Sequence, residues 1–230
     1  MYPILSLVPS ERARPGDAPR PASAAVTLIQ RLEEANRQLA LTQSLLADKQ
    51  QECNELARAL AHDAHSDALT GLFNRRKFND LCAAEITRSA RYGTPLALIM
   101  VDIDHFKRIN DLHGHLFGDR ALVDVTRVLR EHMRASDALC RWGGEEFMIL
   151  APHLDLEHAV RMADKLRAAV AGADFGAAGP MTCSFGVATL QDSDRPVDLI
   201  LRADTCLYRA KRTGRNCVAP QAEGVFQTTG

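Results

Sequence analysis

Apolar residues recur along this chain at different spacings, and each spacing predicts a different element. Between Val26 and Ala64 there is neither proline nor glycine, and Leu32, Leu39, Leu46, Cys53 and Leu60 return every seven residues. Leu28, Ala35, Thr42, Lys49 and Leu56 fill the second seam position, imperfectly at Thr42 and Lys49. A heptad of this kind predicts a coiled-coil helix over residues 25–64. A polar helix of that length rarely survives alone in water. A parallel dimer is therefore the reading, against a single amphipathic helix packed on its own domain.

Beyond residue 65 the pattern changes to short apolar runs alternating with helical periodicity. Helices are predicted over 74–92, 117–133, 156–171 and 197–212. Pro95 to Asp102 is a continuous apolar run ending in acid, the mark of a buried strand. Residues 138–142 and 147–151 read as two strands flanking a Gly-Gly turn, hence a hairpin. Further strands are predicted over 181–190 and 217–219. Strands and helices in this order make residues 65–219 an α/β domain. Residues 1–24 hold five of the ten prolines among Arg, Ser and Ala, a composition that predicts disorder. Residues 220–230 read as a flexible tail.

Composition narrows the function classes. The 230 residues are 46% hydrophobic and 25% charged, with a net charge of −1. That balance gives no bulk attraction to nucleic acid or to an anionic membrane, so any phosphate binding must come from local clusters. No apolar run approaches the ~18 residues needed for a membrane span. Tyr2 to Val8 lacks the basic region and cleavage site of a signal peptide. Six scattered cysteines without a C-x-x-C pair predict reduced thiols rather than a disulfide or zinc framework. The expected location is the cytoplasm.

Four groups of residues carry candidate chemistry. The first is the turn Gly143-Gly144-Glu145-Glu146-Phe147, where two glycines let a ligand approach the backbone closely. Alone it is a weak signal, since a Gly-Gly hairpin with solvated glutamates is common. The second is Asp102 at the end of the buried strand, with Asp104 two residues on and so on the same face of an extended chain. An acid there, near glutamates on an adjacent hairpin, is how a magnesium site for phosphoryl transfer is built. Asp102 could equally cap the next helix. The third group is cationic: Lys107, then Lys211 and Arg215, four apart, with Gly214 able to end the helix between them. Such groups suit a triphosphate or simply decorate a helix end. The fourth is Asn110 and Asp119, which could pair with the donor and acceptor edge of guanine or serve as capping residues.

In combination these residues resemble the GGDEF family of diguanylate cyclases. Asp67-Ala68-Leu69-Thr70-Gly71-Leu72-Phe73-Asn74-Arg75-Arg76 is similar to the family's opening motif. Asp102 through Asp119 is similar to its metal, phosphate and guanine segment, and Gly143 to Phe147 is a GGEEF form of its name motif. Ser184-Phe185-Gly186-Val187-Ala188 and Ala203 through Asn216 resemble its closing blocks. The resemblance spans residues 65–219. It implies a ferredoxin-like βαββαβ core similar to the palm of nucleotidyl cyclases, preceded here by the long coiled-coil helix.

It also implies roles. Two GTP molecules would condense to cyclic di-GMP with release of two pyrophosphates. Asp102, the carbonyl of Ile103, Glu145 and Glu146 would ligate Mg2+, with Mn2+ as a substitute. One of the two glutamates, Glu145 in the first place and Glu146 as the alternative, would also help deprotonate the 3′-hydroxyl. The backbone after Asp104 including Phe106, the glycines Gly143 and Gly144, and Lys107, Lys211 and Arg215 would hold the triphosphate, while Asn110 and Asp119 would read guanine. Each domain binds one GTP, so the reaction needs a homodimer, which gives the coiled coil a purpose. Arg134-Ala135-Ser136-Asp137 is similar to the family's R-x-x-D inhibitory site, where cyclic di-GMP would act back on the enzyme through Arg134 and Asp137. The rival reading is a silent, nucleotide-sensing module; degenerate relatives usually lose the glycines or acids of the hairpin, and all are present here.

If the heptads serve to bring two half-sites together, tethering raises their effective concentration, to millimolar levels for short links. A chain beginning at His65 is expected to be mostly monomeric at low concentration and to lose specific activity on dilution. Activity per mole that stays constant across a dilution series would contradict this.

Overall fold

The computed structural model of the protein describes residues 21–222, apart from the side chains of residues 21–24, 55–64 and 177. The expected disordered segment and tail therefore lie mostly outside the described residues. The chain divides into two units, Met1–Ala59 and Leu60–Gly230.

The described part of the first unit is helical throughout, within α1 (Pro21–His65). The helix thus begins at Pro21 rather than at 25. Leu28, Leu32, Leu39 and Leu46 of the heptad stripe are each more than half exposed. Local pairs such as Lys49–Glu52 at 2.5 Å and Arg37–Glu34 at 3.5 Å stabilise an isolated helix by only about 0.2–0.5 kcal/mol each.

The second unit is built around one six-stranded sheet. In chain order its elements are β1 (Phe73–Asn74), α2 (Arg75–Tyr92), β2 (Leu96–Ile103), α3 (Phe106–His113), α4 (His115–Glu131), β3 (Ala138–Gly143), β4 (Glu146–Pro152), α5 (Leu156–Gly172), β5 (Cys183–Thr189), α6 (Pro196–Arg212) and β6 (Val218–Pro220). The sheet order is β1-β3-β4-β2-β5-β6. Within it, β2, β3, β4 and β5 with their helices form the βαββαβ core implied by the resemblance. β2 lies between β4 and β5 and is antiparallel to both, while β1 and β6 add parallel edges.

Every residue of β2 is buried, because helices cover both faces of the sheet. Alternation then sorts its side chains. Ala97, Ile99, Val101 and Ile103 join a core with residues of α4 and α5, whereas Leu96, Leu98 and Met100 join a second core with residues of α2 and α6. Full burial of each such large side chain stabilises by about 1.5–3 kcal/mol. Side-chain caps fix where helices start. Asn74 accepts the Lys77 amide ahead of α2, and Asp155 accepts the His158 amide ahead of α5. At its other end α2 stops at Gly93, whose φ of 64° is left-handed.

The predicted strands and the four predicted helices are present, with ends displaced by one or two residues. β1 and α3 were not anticipated: two residues and eight residues are too short to register as periodic patterns.

Gly186 shows how tightly α6 sits on the sheet. A Cβ there would overlap the Ala203 carbonyl and the Leu207 amide, backbone atoms that cannot yield without moving the helix. Gly186→Ala is expected to lower stability by about 3 kcal/mol, measured as a shift in denaturation midpoint. A change within 0.5 kcal/mol, the usual span of a surface substitution, would contradict this packing.

Candidate active site

Strand register brings the first two acids together. Asp102 pairs directly with Glu146 across β2 and β4, and directly opposed residues share a face of the sheet. That face is the one covered by α6, so Lys211 from the last turn of α6 meets Asp102: Nζ lies 2.7 Å from Oδ2. Asp102 is only 5% exposed. Burial pushes its carboxyl up to about 6; the Lys211 ammonium opposes the rise, and the charges of Glu145 and Glu146 add to it. Burial also raises Glu146, against Lys211 and with Asp204 and Glu145. Glu145 is in the turn itself, and its carbonyl accepts the Ile103 amide at 3.4 Å.

The turn is braced from behind. Arg141 donates through Nε and Nη2 to the Gly144 carbonyl, at 3.0 and 2.9 Å, and through Nη1 to both Asp67 oxygens at 3.2 Å. Asp67 also accepts the Thr70 amide and hydroxyl at 2.8 and 2.7 Å. Despite burial acting the other way, these hydrogen bonds hold its carboxyl below the usual range. Gly144 has a φ of 51°, a conformation glycine adopts without penalty. The strand register shifts between Arg141 and Gly143. Trp142 at this bulge stacks under the Arg75 guanidinium, 4.2 Å from the ring centroid, and edge-on to Phe78.

Asp104 lies one residue past the end of β2 at Ile103. Its carboxylate stays on the face of Asp102, because its partner Ser184 is the residue directly opposite Asp102 on β5. It is engaged by Thr182 and Ser184, whose hydroxyls each donate to it at 2.7 Å. His105, at φ 58°, precedes α3 without a side-chain cap. The amides of Phe106 and Lys107 therefore open the helix with no intrahelical acceptor. Lys107 is exposed. Arg215 is not on the helix face of Lys211: α6 stops at Arg212, and Arg215 follows at φ 63°, exposed.

Asn110 in α3 lies against Gly118 in α4, where a Cβ would overlap its Oδ1. That oxygen is buried with no hydrogen-bond partner in the structure. Asp119 follows Gly118 and is exposed. Arg134 and Asp137 lie apart from these groups, beside a cleft of about 260 Å³ also lined by Gly71, Phe73 and Arg130. There Asp137 Oδ2 accepts the Arg134 amide at 2.9 Å.

Residues 64–217 match the family described as diguanylate cyclase, GGDEF domain. The chain belongs to the GGDEF diguanylate cyclase family. It is 42% identical over 156 residues to diguanylate cyclase DgcP of Pseudomonas aeruginosa, covering 66% of this chain and 23% of that protein. It is 39% identical over 167 residues to diguanylate cyclase DgcM of Escherichia coli, covering 73% of this chain and 41% of that protein. The chain thus spans less than half the length of these relatives. Among solved structures it is similar to the coiled coil and GGDEF domain of DgcB from Caulobacter crescentus in complex with c-di-GMP. There the TM-score is 0.70 at 27% identity, over 84% of this chain and 99% of that one.

In this GGDEF domain the donors at the β2–β4 end are hard oxygens: the carboxylates of Asp102 and Glu146, with Glu145 next to them. Among the described residues no three acid, His or Cys side chains converge as a ready cation cluster; Lys211 supplies the positive charge beside Asp102. Hard, partly pre-neutralised oxygens fit Mg2+, which binds through one or two carboxylates and keeps water and phosphate ligands.

Arg141 and its partner Asp67 are functional in the sense of holding the turn, and the sequence offers no spacing signal for them. They lie 74 residues apart and meet only because β1 pairs with β3.

The raised Asp102 carboxyl has a consequence for stability. A carboxylate that takes up its proton more readily in the folded state than in the unfolded chain loses stability as pH rises from its unfolded value, near 4, to its folded value, near 6. With divalent ions removed, Asp102→Asn is therefore expected to gain on the wild type as pH rises through that window. The gain should be on the order of 3 kcal/mol, read as melting temperature against pH. Parallel curves would show that Asp102 carries no such penalty.

Proposed function

We propose that the protein is an active diguanylate cyclase, joining two GTP into cyclic di-GMP with release of two pyrophosphates. The observation that carries this reading is the register pairing of Asp102 with Glu146 beside Lys211, at the foot of an intact Gly-Gly turn. Asp102, Glu146, Glu145 and the Ile103 carbonyl would hold Mg2+, or Mn2+ in its place. The metal, when bound, would draw charge from the phosphates and make the 3′-hydroxyl more acidic.

The chain's own groups do the positioning. The Phe106 and Lys107 amides, Lys107, Lys211 and Arg215 receive the triphosphate, and Gly143 and Gly144 let the nucleotide lie close to the backbone. The orphaned Asn110 oxygen is matched by a guanine N–H, and Asp119 accepts guanine's remaining donors; an adenine would present an acceptor instead. One glutamate, which we assign to Glu145, takes the proton of the 3′-hydroxyl. The 3′-oxygen then bonds to the α-phosphorus of the GTP on the facing domain, and the bond to the β-phosphate oxygen breaks. Pyrophosphate leaves, and the second 3′-oxygen repeats the step to close the ring. Most of the acceleration in such chemistry comes from orientation and charge compensation.

Two domains must face each other, and the exposed Leu28, Leu32, Leu39 and Leu46 stripe of α1 is the surface suited to pairing them as a homodimer. DgcB, which also pairs a coiled coil with a GGDEF domain, supports this. Arg134 and Asp137 would form the product-inhibition site. Arg134 has an exposed guanidinium whose planar fork suits a phosphate or the acceptor edge of guanine. No described helix is long and apolar enough to cross a membrane. We place the protein in the cytoplasm.

The test is to incubate the purified chain with GTP and Mg2+ and separate the products. Cyclic di-GMP and pyrophosphate in a ratio of one to two are expected. Asp102→Ala and Glu146→Ala should each abolish turnover while the fold persists. Bound but unconverted GTP would favour the sensing module instead. Arg134→Ala should keep the initial rate and remove the slowing as product accumulates. Equal inhibition of wild type and variant by added cyclic di-GMP would make Arg134 and Asp137 a structural pair.

A further inference from the structure

The loop after α6 is held in a shape that the chain does not adopt unaided. Gly214, Arg215 and Asn216 have φ values of 117°, 63° and 43°. Glycine takes such values freely, but Arg and Asn in succession do so only when their surroundings impose it. Two hydrogen bonds from the loop's backbone amides contribute to the constraint, beside the Arg167 guanidinium on Asn216 Oδ1 at 3.3 Å and the Phe185 amide on the Cys217 carbonyl at 3.0 Å. The Arg215 amide donates to the Ala210 carbonyl at 3.1 Å, which ties the loop back to α6. The Asn216 amide donates at 3.0 Å to Oδ2 of Asp104, across 112 residues of sequence.

Asp104 is well placed to impose that shape. Only 6% of it is exposed, and its two oxygens accept three donors: Ser184 Oγ on Oδ1, and Thr182 Oγ1 and the Asn216 amide on Oδ2. Its own amide donates to the Thr182 carbonyl at 2.9 Å. The group is thereby fixed to the start of β5 on one side and offers an acceptor to the loop on the other. The Arg215 guanidinium makes no hydrogen bond or ion pair among the described residues, and the residue is exposed, so the loop backbone sets the point from which its side chain departs.

We propose that Asp104 is a positioning residue: it fixes the left-handed loop and through it aims Arg215 at the nucleotide phosphates. This rests on the reading of Arg215 as a phosphate-binding cation. What Asp104 must supply is acceptor geometry, not charge. The hydroxyls of Ser184 and Thr182 can rotate to suit either an amide or a carboxylate, and an Asn oxygen can still receive the Asn216 amide.

A double-mutant cycle on the full chain tests it, with KM for GTP and kcat read separately. Arg215→Ala is expected to raise KM about tenfold with a smaller change in kcat. Asp104→Ala should do the same, and the double variant should be no worse than either, because both remove one interaction. Asp104→Asn should recover most of the loss. Losses that multiply to about a hundredfold, or an Asn variant as poor as Ala, would overturn the proposal. An unchanged KM in Arg215→Ala would instead overturn the phosphate reading. Amide exchange decides the structural half independently, even if Asp104→Ala fails to fold. The Asn216 amide of the wild type should be protected like the core. Exchange there at the rate of an unstructured chain would mean that Asp104 does not hold the loop.

Discussion

The structure turns on one electrostatic constraint. Register places Asp102 and Glu146 face to face at the mouth of a fully buried strand. Two carboxylates so placed repel each other, and a buried one loses hydration that only a compensating charge can replace. Lys211 provides part of that compensation, and the raised carboxyl of Asp102 shows that it is incomplete. Carboxylate oxygens in this condition are hard donors that a further positive charge would stabilise. The same groups that make the pair costly in isolation make it suited to a divalent cation carrying phosphates.

The fold supports that constraint from both sides of the sheet. α6 brings Lys211 to the acids and packs so closely on Gly186 that no side chain fits between. Arg141, held by Asp67, fixes the Gly144 carbonyl and hence the height of the turn above Asp102. The Trp142 bulge is clamped by Arg75 and Phe78 from the other side. Each support comes from a different element, so the turn is fixed by the tertiary structure and not by its own sequence.

This explains which features were legible in the sequence. The apolar run 95–102 was legible as a buried strand because it is short for a buried helix and is bounded by Pro95 and an acid. The Gly-Gly hairpin and the ordered motifs around it located Asp102, Glu146 and Lys211. The two-residue spacing of Asp102 and Asp104 placed both on one face, but it could not show that Asp104 is taken up by Thr182 and Ser184 at the start of β5. Arg215 was four residues from Lys211 but not on the helix, because a glycine ends α6 in a way that spacing alone leaves open. The contacts of Asp104 with Thr182, Ser184 and Asn216 span 78, 80 and 112 residues. Contacts of that range become readable only when the sheet order is known.

The most direct measurement is anomalous diffraction from crystals grown with Mn2+ and a non-hydrolysable GTP analogue. If the buried acid pair is the cation site, a manganese peak should lie within about 2.2 Å of an Asp102 carboxylate oxygen, near the distances Mg2+ adopts with oxygen. Glu146 should be on the same ion, and Lys211 should have moved from Asp102 to the phosphates. A nucleotide bound with Lys211 still on Asp102, and manganese elsewhere, would contradict the account.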